Sequence, residues 1–187
     1  MEGKVIFEGK TEKGLSVLIR YVKSDDVEIL NDYINILSRE QTFISYQGEE
    51  IPPEFEKEYI RKLIEKFKNR EAVHLLAFTD RKLIGSVDLN MQDPKRGAIK
   101  HVGIFGISVL KDYRGQGVGK LLMNLVLKEA VKNLPNLRTT TLSVFSTNDL
   151  AREMYKNFGF VEFGKLPEGV FHKGKYVDLI YMYKKVK

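Results

Sequence analysis

The chain contains no cysteine. That removes disulfides, thiolate metal sites and any cysteine-borne acyl intermediate, and it fits a reducing compartment. Histidine is scarce as well. His74, His101 and His172 are far apart in sequence, and no H-E-x-x-H or similar ligand spacing occurs, so no metal is expected. No apolar run approaches the ~20 residues needed to cross a bilayer. Residues 1–7 (MEGKVIF) lack the apolar core of a signal peptide, and a soluble, cytoplasmic protein is expected. Internal repeats, linkers and low-complexity segments are missing too. Charge of one sign does not dominate: 31 Lys and Arg stand against 25 Asp and Glu, a net charge of +6. A modest positive balance suits an anionic ligand. The basic residues are scattered among acids, which reads as a solvated surface rather than a nucleic-acid face.

What is present describes one globular domain. The 187 residues are 43% hydrophobic and 30% charged, a folded rather than disordered composition, and enough to bury a core without staples. Residues 1–187 are read as a single domain. Residues 1–13 surround a short apolar patch at Val5, Ile6 and Phe7, and read as an added edge strand or a loose end. Leu15, Val17, Ile19 and Tyr21 alternate as on a strand. Ser24 or Asp25 is placed to cap the next helix, whose apolar face is Val27, Leu30, Ile34 and Leu37. Residues 38–53 mix aromatics, acids and turn formers without a period, a long loop of the kind that carries function. Pro52 and Pro53 open a second helix, running to about residue 69. Strands at 73–79 and 83–91 form a hairpin. A turn cluster at 93–97 leads to a strand predicted over 99–110, where Gly103 and Gly106 mark a bulge or a close approach. A helix to about residue 133 and a strand over 138–145 follow. Next comes a short helix over 149–157, capped by Asn148 and closed by Gly159. Strands over 160–166 and 176–183 come last, and Lys184, Lys185 and Lys187 read as a frayed, solvated end. The order is β-α-α-β-β-β-α-β-α-β-β, a mixed α/β layer flanked by helices.

The rest of the chain is organised around residues 106–119, GISVLKDYRGQGVG. Ile107, Val109 and Leu110 begin it as a strand. It ends in an amphipathic helix with Val118, Leu121, Leu122, Leu125, Val126 and Ala130 on one face. The glycines therefore sit at a helix N-terminus, where unpaired N–H groups and the positive end of the dipole attract phosphate. Two familiar phosphate loops fail on spacing. The dinucleotide fingerprint requires glycine where Lys120 stands. A triphosphate loop would end on Lys120 and Leu121, and leucine cannot hold magnesium. What remains is R-x-x-G-x-G, on Arg114, Gly117 and Gly119. A tight turn alone does not need three glycines in five residues.

In its strand–loop–helix setting this pattern resembles the acyl-coenzyme A pyrophosphate loop of the GNAT family of N-acetyltransferases. A second motif stands in place. Asn148, Ala151 and Tyr155, then Phe158, Gly159 and Phe160, resemble the family's N-x-x-A-x-x-x-Y-x-x-x-G-F region. The element order matches over about residues 15–184. The resemblance implies the GNAT fold: a mixed, mostly antiparallel sheet of about seven strands, splayed between the fourth and fifth. It implies direct transfer of an acetyl group from acetyl-coenzyme A to a primary amine of a small molecule such as a polyamine or amino acid. A protein N-terminus or lysine is the alternative acceptor, and a non-catalytic acyl-coenzyme A sensor is the rival of another class. The implied partners are acetyl-coenzyme A and an amine acceptor. Neither nucleic acid nor membrane is expected, and a homodimer is left open.

The resemblance also implies roles for residues. Gly115, Gln116, Gly117, Val118, Gly119 and Lys120 would present backbone amides to the pyrophosphate, with charge from Arg114 and Lys120. The pantetheine arm would pair with Ile107, Ser108 and Val109 as an added strand, and Val109 N–H would receive the oxyanion. Tyr155 would serve the leaving thiolate and Asn148 would contact the coenzyme. Without the resemblance, Tyr155 reads as a core aromatic and Asn148 as a plain helix cap. The family's usual glutamate on this strand is missing, because Gly103, Ile104, Phe105 and Gly106 fill that region. The substitutes for a general base are His101, Asp88, Glu40 or a water chain. The acceptor is expected among residues 40–50, 86–90 and 166–176, where Phe43, Tyr46, Glu49 and Glu50 suit a cationic amine.

Overall fold

The computed structural model describes residues 1–93 and 95–186. Two strands, Val5–Lys10 (β1) and Ser16–Tyr21 (β2), lead to two helices, Val27–Arg39 (α1) and Pro53–Lys68 (α2). Strands Ala72–Thr79 (β3), Lys82–Met91 (β4) and Val102–Val109 (β5) follow, then a 3-10 turn at Lys111–Tyr113 and helix Val118–Asn133 (α3). Strand Thr139–Phe145 (β6), helix Asp149–Asn157 (α4) and strands Val161–His172 (β7) and Lys175–Lys185 (β8) complete the chain. The strands form one sheet in the order β1-β2-β3-β4-β5-β6-β8-β7, antiparallel throughout except for β5 and β6.

β3 lies near the middle of the sheet and is buried at every residue, because both faces are covered. α1 and α2 cover one face: Tyr59 of α2 reaches His74 of β3, and Tyr33 of α1 reaches Ser108 of β5. α3 covers the other, where a Cβ on Gly85 of β4 would meet Val118 and Leu122. The two cores are apolar, with Leu30, Leu37 and Leu63 on the first side and Leu122, Met123 and Val126 on the second.

Several boundaries differ from the sequence reading. The sheet has eight strands where about seven are expected, because residues 5–10 take the edge-strand alternative and pair along β2. The N-cap position of α1 is held by Asp26, not Ser24 or Asp25, and its side chain turns back from the helix rather than capping it. Its carboxylate accepts from Lys23 N at 2.8 Å and takes both guanidinium arms of Arg20 at 2.7 Å. The predicted strand over 99–110 begins only at Val102, because Ile99 and Val102 close successive turns onto Arg96 and Ile99. Pro94 of the turn cluster lies outside the described residues. β7 runs on to His172 through a register shift between Leu166 and Val170, where Pro167 and Gly169 suggest a break. Lys184 and Lys185 are not frayed. They pair with Thr140 and Thr139 of β6, and Lys187 lies outside the described residues.

The feature that positions the site is a wedge. β5 and β6 pair only through Val102, Gly103 and Ile104 against Thr139, Thr140 and Thr141. Beyond Ile104 the strands part, and among the described residues the rest of β5 has no paired strand on that side.

Candidate functional site

β5 meets α3 at the open end of the wedge. Gly117 is the N-cap of α3, in the left-handed conformation at φ 83°, which an L side chain reaches only at a cost of about 1–2 kcal/mol. No side chain caps this helix. Its first internal bond runs from Leu121 N to Gly117 O, so Val118, Gly119 and Lys120 direct N–H groups out of the helix with no helical acceptor. The tip of the β1–β2 hairpin stands beside them. A Cβ on Gly117 would lie 3.3 Å from Thr11 Cβ, and Glu12 pairs with Lys120 at 3.6 Å. Between the hairpin, the head of α3 and the end of α4 is a cavity of about 480 Å³, lined by Lys10, Thr11, Gly117, Lys120, Asn124 and Phe158. A larger space of about 810 Å³ lies against Glu8, Arg20, Asp26 and Arg81. No residue of β5 or the glycine loop lines it, whereas the smaller cavity is lined by Gly117 and Lys120 and is the relevant one.

The ladder settles which backbone groups of β5 are available. Leu110 N donates to Ile84 O and Gln92 N to Val102 O. With the register Ser86↔Ser108 and Asp88↔Gly106, this parity bonds the even-numbered residues of β5 to β4. In an antiparallel ladder the alternate residues point the other way, so Ile107 and Val109 present their N–H groups to the open wedge. Ser108 does not. Its backbone faces β4, and its hydroxyl lies 3.0 Å from Tyr33 Oη on the α1 side.

Arg114 and Glu40 form a unit that the sequence reading separated. The Arg114 guanidinium pairs with Glu40 at 2.5 Å and donates from Nε to Val109 O at 2.8 Å. The other Glu40 oxygen accepts from Lys111 N at 2.9 Å. Glu40 therefore braces the strand-to-loop junction, and both its oxygens are engaged. Arg114 is likewise engaged in this brace, and Lys120, the cation at the head of α3, is exposed beside Glu12. Two residues 74 positions apart carry no sequence signal of such a tie.

Tyr155 is buried on α4, edge-on to Phe105 of β5 with ring centres 6.1 Å apart and 6.0 Å from Phe160. Burial pushes its hydroxyl up to about 12, so it is protonated at neutral pH. No hydrogen bond ties that hydroxyl among the described residues. The Asn148 carbonyl oxygen accepts from Ala151 N at 3.3 Å, so the side chain caps α4 with its oxygen and keeps its NH₂ for another partner. His101 lies in the turn before β5, at the closed end of the wedge, where its carbonyl accepts from Arg138 and Thr139. At ~3.3 Å per residue it is roughly 26 Å from Val109, too far to serve the same reacting centre.

The α1/α2 face of β3, β4 and β5 carries a polar strip that sequence patterning did not single out as a group. Buried His74 meets Tyr59 Oη at 3.0 Å and Ser86 Oγ at 2.7 Å, and burial lowers its pKa to about 4. Half-buried Asp88 accepts from Asn90 Nδ2 at 2.6 Å, and burial raises its pKa to about 6. The α1–α2 loop closes over one end of this face. His172 of β7 meets Gln41 O at 3.1 Å, and its ring packs against Phe43 and Phe145 at 5.0 and 5.3 Å. Tyr176 does not take part and is exposed beside Phe171. Among the described residues no group of three His, Asp or Glu side chains is placed to hold a metal ion, and no helix is long and apolar enough to cross a membrane.

Known proteins share this fold. The family model described as Acetyltransferase (GNAT) family matches residues 32–160. The L-amino acid N-acetyltransferase AaaT of Escherichia coli is 32% identical over 58% of this chain, and the match spans 65% of that relative's length. The spermidine N(1)-acetyltransferase of Vibrio cholerae is 29% identical over 81% of this chain and 84% of its own. An acetyltransferase of the GNAT family from Streptococcus pneumoniae superposes with a TM-score of 0.82 at 27% identity, over 91% of this chain and 99% of that one.

Proposed function

The chain belongs to the GNAT acetyltransferase family, and from that membership we propose that it transfers the acetyl group of acetyl-coenzyme A directly to the primary amine of a small molecule. One observation carries the proposal. The uncapped head of α3, with Gly117 as its N-cap, lies at the same end of β5 as the unpaired N–H groups of Ile107 and Val109. A diphosphate suits the first and a peptide-like pantetheine arm suits the second.

The chain's residues divide the work as follows. The amides of Val118, Gly119 and Lys120 hold the diphosphate, with the Lys120 cation beside them. Ile107 pairs with the pantetheine arm. Val109 N–H donates to the thioester oxygen as it gains charge, a contribution of roughly 2.7–4 kcal/mol for a preorganised donor. The amine lone pair attacks the carbonyl carbon and the C–S bond breaks. Tyr155 donates a hydrogen bond to the departing sulfur. At about 12 it is a weaker acid than an ordinary thiol near ~8.5, so its part is to stabilise the thiolate as it forms. The loop brace of Glu40 and Arg114 fixes Val109 from its carbonyl side.

Two features support a small acceptor. The two curated relatives described above are named for small amines, an L-amino acid and spermidine. In this chain the α1–α2 loop is pinned to β7, which narrows the acceptor face, and half-buried Glu56 and Asp88 with Tyr59 favour a cation there. The same reading takes residues 1–187 as one domain working in the cytoplasm, without nucleic acid or membrane.

The test is release of free coenzyme A thiol from acetyl-coenzyme A against pools of polyamines, amino acids and short peptides. Release with a small-amine pool is expected. Release with peptides alone would favour a protein acceptor. Binding of acetyl-coenzyme A with no release in any pool would favour a sensor.

A further inference from the structure

We infer that Asp88 is the general base of this site, a carboxylate supplied by β4 through the space that Gly106 leaves open on β5. The inference rests on the acetyl-transfer reading above, because that reaction requires an ammonium to lose a proton before it attacks.

The geometry begins at Gly106. A Cβ built there would lie 2.8 Å from Asp88 Oδ1, so any other residue on β5 would push this carboxylate away. With glycine in place, Asp88 lays one oxygen over the β5 backbone, where that strand's own side chain would otherwise stand. The two carboxylate oxygens are then unlike. Oδ2 accepts from Asn90 Nδ2 at 2.6 Å. Oδ1 has no hydrogen-bond partner among the described residues and is free to accept a proton.

The other candidates are disabled. Glu40 is held by Arg114 and Lys111 N. His101 lies at the closed end of the wedge. His74 has both ring nitrogens engaged.

The surroundings of Asp88 tune it for the task. Across β3 stands His74, neutral because burial holds it near 4. From α2 come Tyr59, whose hydroxyl is pushed well up, Glu56, also raised by burial, and Lys66, whose Nζ reaches Asn90 Oδ1 at 3.4 Å. β5 presents only Gly106. Burial is the main influence on Asp88 and brings it to about 6, close to the value that best serves proton transfer near neutral pH. Gly106 is roughly 10 Å of strand from Val109. The intervening surface on this face is Ser86 opposite Ser108, two hydroxyls that also meet His74 and Tyr33. That hydroxyl-lined strip suits water passing the proton on. The step balances: one ammonium N–H bond breaks and its proton ends on Asp88 Oδ1, the freed lone pair forms the C–N bond at the thioester carbon, the C–S bond breaks, and the second proton released by the acylated nitrogen goes to the departing thiolate.

The experiment compares the wild-type protein with Asp88→Asn and Gly106→Ala. Asparagine keeps the shape and can still accept from Asn90. Expected for D88N is a loss of about 100-fold in kcat/KM at pH 7, disappearance of the acid limb near pH 6, and unchanged acetyl-coenzyme A affinity. A fluorinated analogue of the acceptor amine, already neutral at pH 7, should restore most of the loss. G106A, which leaves the carboxylate in the protein but displaces it, should lose about 10-fold with affinity unchanged, and it keeps the inference testable if D88N folds poorly. D88N within threefold of an active wild type, with the acid limb intact, would overturn the inference alone. Absence of turnover by the wild type with every amine would sink acetyl transfer and this inference with it.

Discussion

Tyr155 is the residue whose two readings diverge most sharply in the laboratory. Its ring is core, packed on Phe105 and Phe160, while its hydroxyl has no hydrogen-bond partner among the described residues. Removing an unpaired hydroxyl orphans nothing, so Tyr155→Phe should leave the melting temperature nearly unchanged. If the hydroxyl meets the leaving sulfur, kcat should fall about 100-fold while the KM for acetyl-coenzyme A stays within a few-fold. A variant as fast as the wild type would make Tyr155 a core aromatic and nothing more. Glu40 is the complementary case. Glu40→Gln should raise the KM for acetyl-coenzyme A by loosening the junction, yet leave the acid limb of the rate profile in place. A lost limb would return Glu40 to the list of bases. At this scale the sequence was partly legible. Tyr155 and Asn148 carry a motif whose spacing follows one helix. The Glu40–Arg114 brace and the meeting of Asp88 with Gly106 arise from pairing across strands and loops, which no local pattern encodes.

Among elements, the head of α3 is the most exacting. Gly117 combines a positive φ with Thr11 at 3.3 Å from its would-be Cβ. Gly117→Ala should therefore cost about 1–2 kcal/mol, lowering the melting temperature by about 2–8 °C for a chain of this size. It should weaken acetyl-coenzyme A binding about 10-fold or more as the amides turn from the diphosphate. Full affinity in a folded G117A would remove the loop from the binding site. The strand–loop–helix unit was readable because hydrophobic period, glycine placement and helix face agree. The start of β5 was not. Residues 99–101 are held by successive turn bonds rather than by apolar pattern. The sequence pattern ends β7 early because Pro167 and Gly169 are ordinary strand breakers, whereas here the ladder absorbs them in a bulge. The lysines at the end of β8 looked solvated because charge says nothing of a backbone already paired to β6.

Over the whole molecule, the polar strip links stability to pH with two opposing signs. His74, near 4 in the folded chain against ~6.5 unfolded, contributes stability above pH 6.5 that is lost as pH falls toward 4, about 3 kcal/mol in all. Asp88, near 6 folded against ~3.8 unfolded, works the other way. Its contribution is present below 3.8 and lost as pH rises through 6. Between pH 4 and 6 the two nearly cancel. Denaturant titrations of D88N should therefore show a fall of about 3 kcal/mol from pH 7 to 4 that the wild type shows only weakly. Equal slopes in both proteins would contradict the opposed pair. The central claim is the register of the open strand edge beside the helix head. Its most direct test is residue-resolved amide hydrogen exchange across the chain with and without acetyl-coenzyme A. Slowed exchange at Ile107, Val109, Val118, Gly119 and Lys120, with Ser108 slow in both states, is the predicted result. Unchanged exchange at those amides, or protection confined to the cavity beside Arg20 and Asp26, would contradict it.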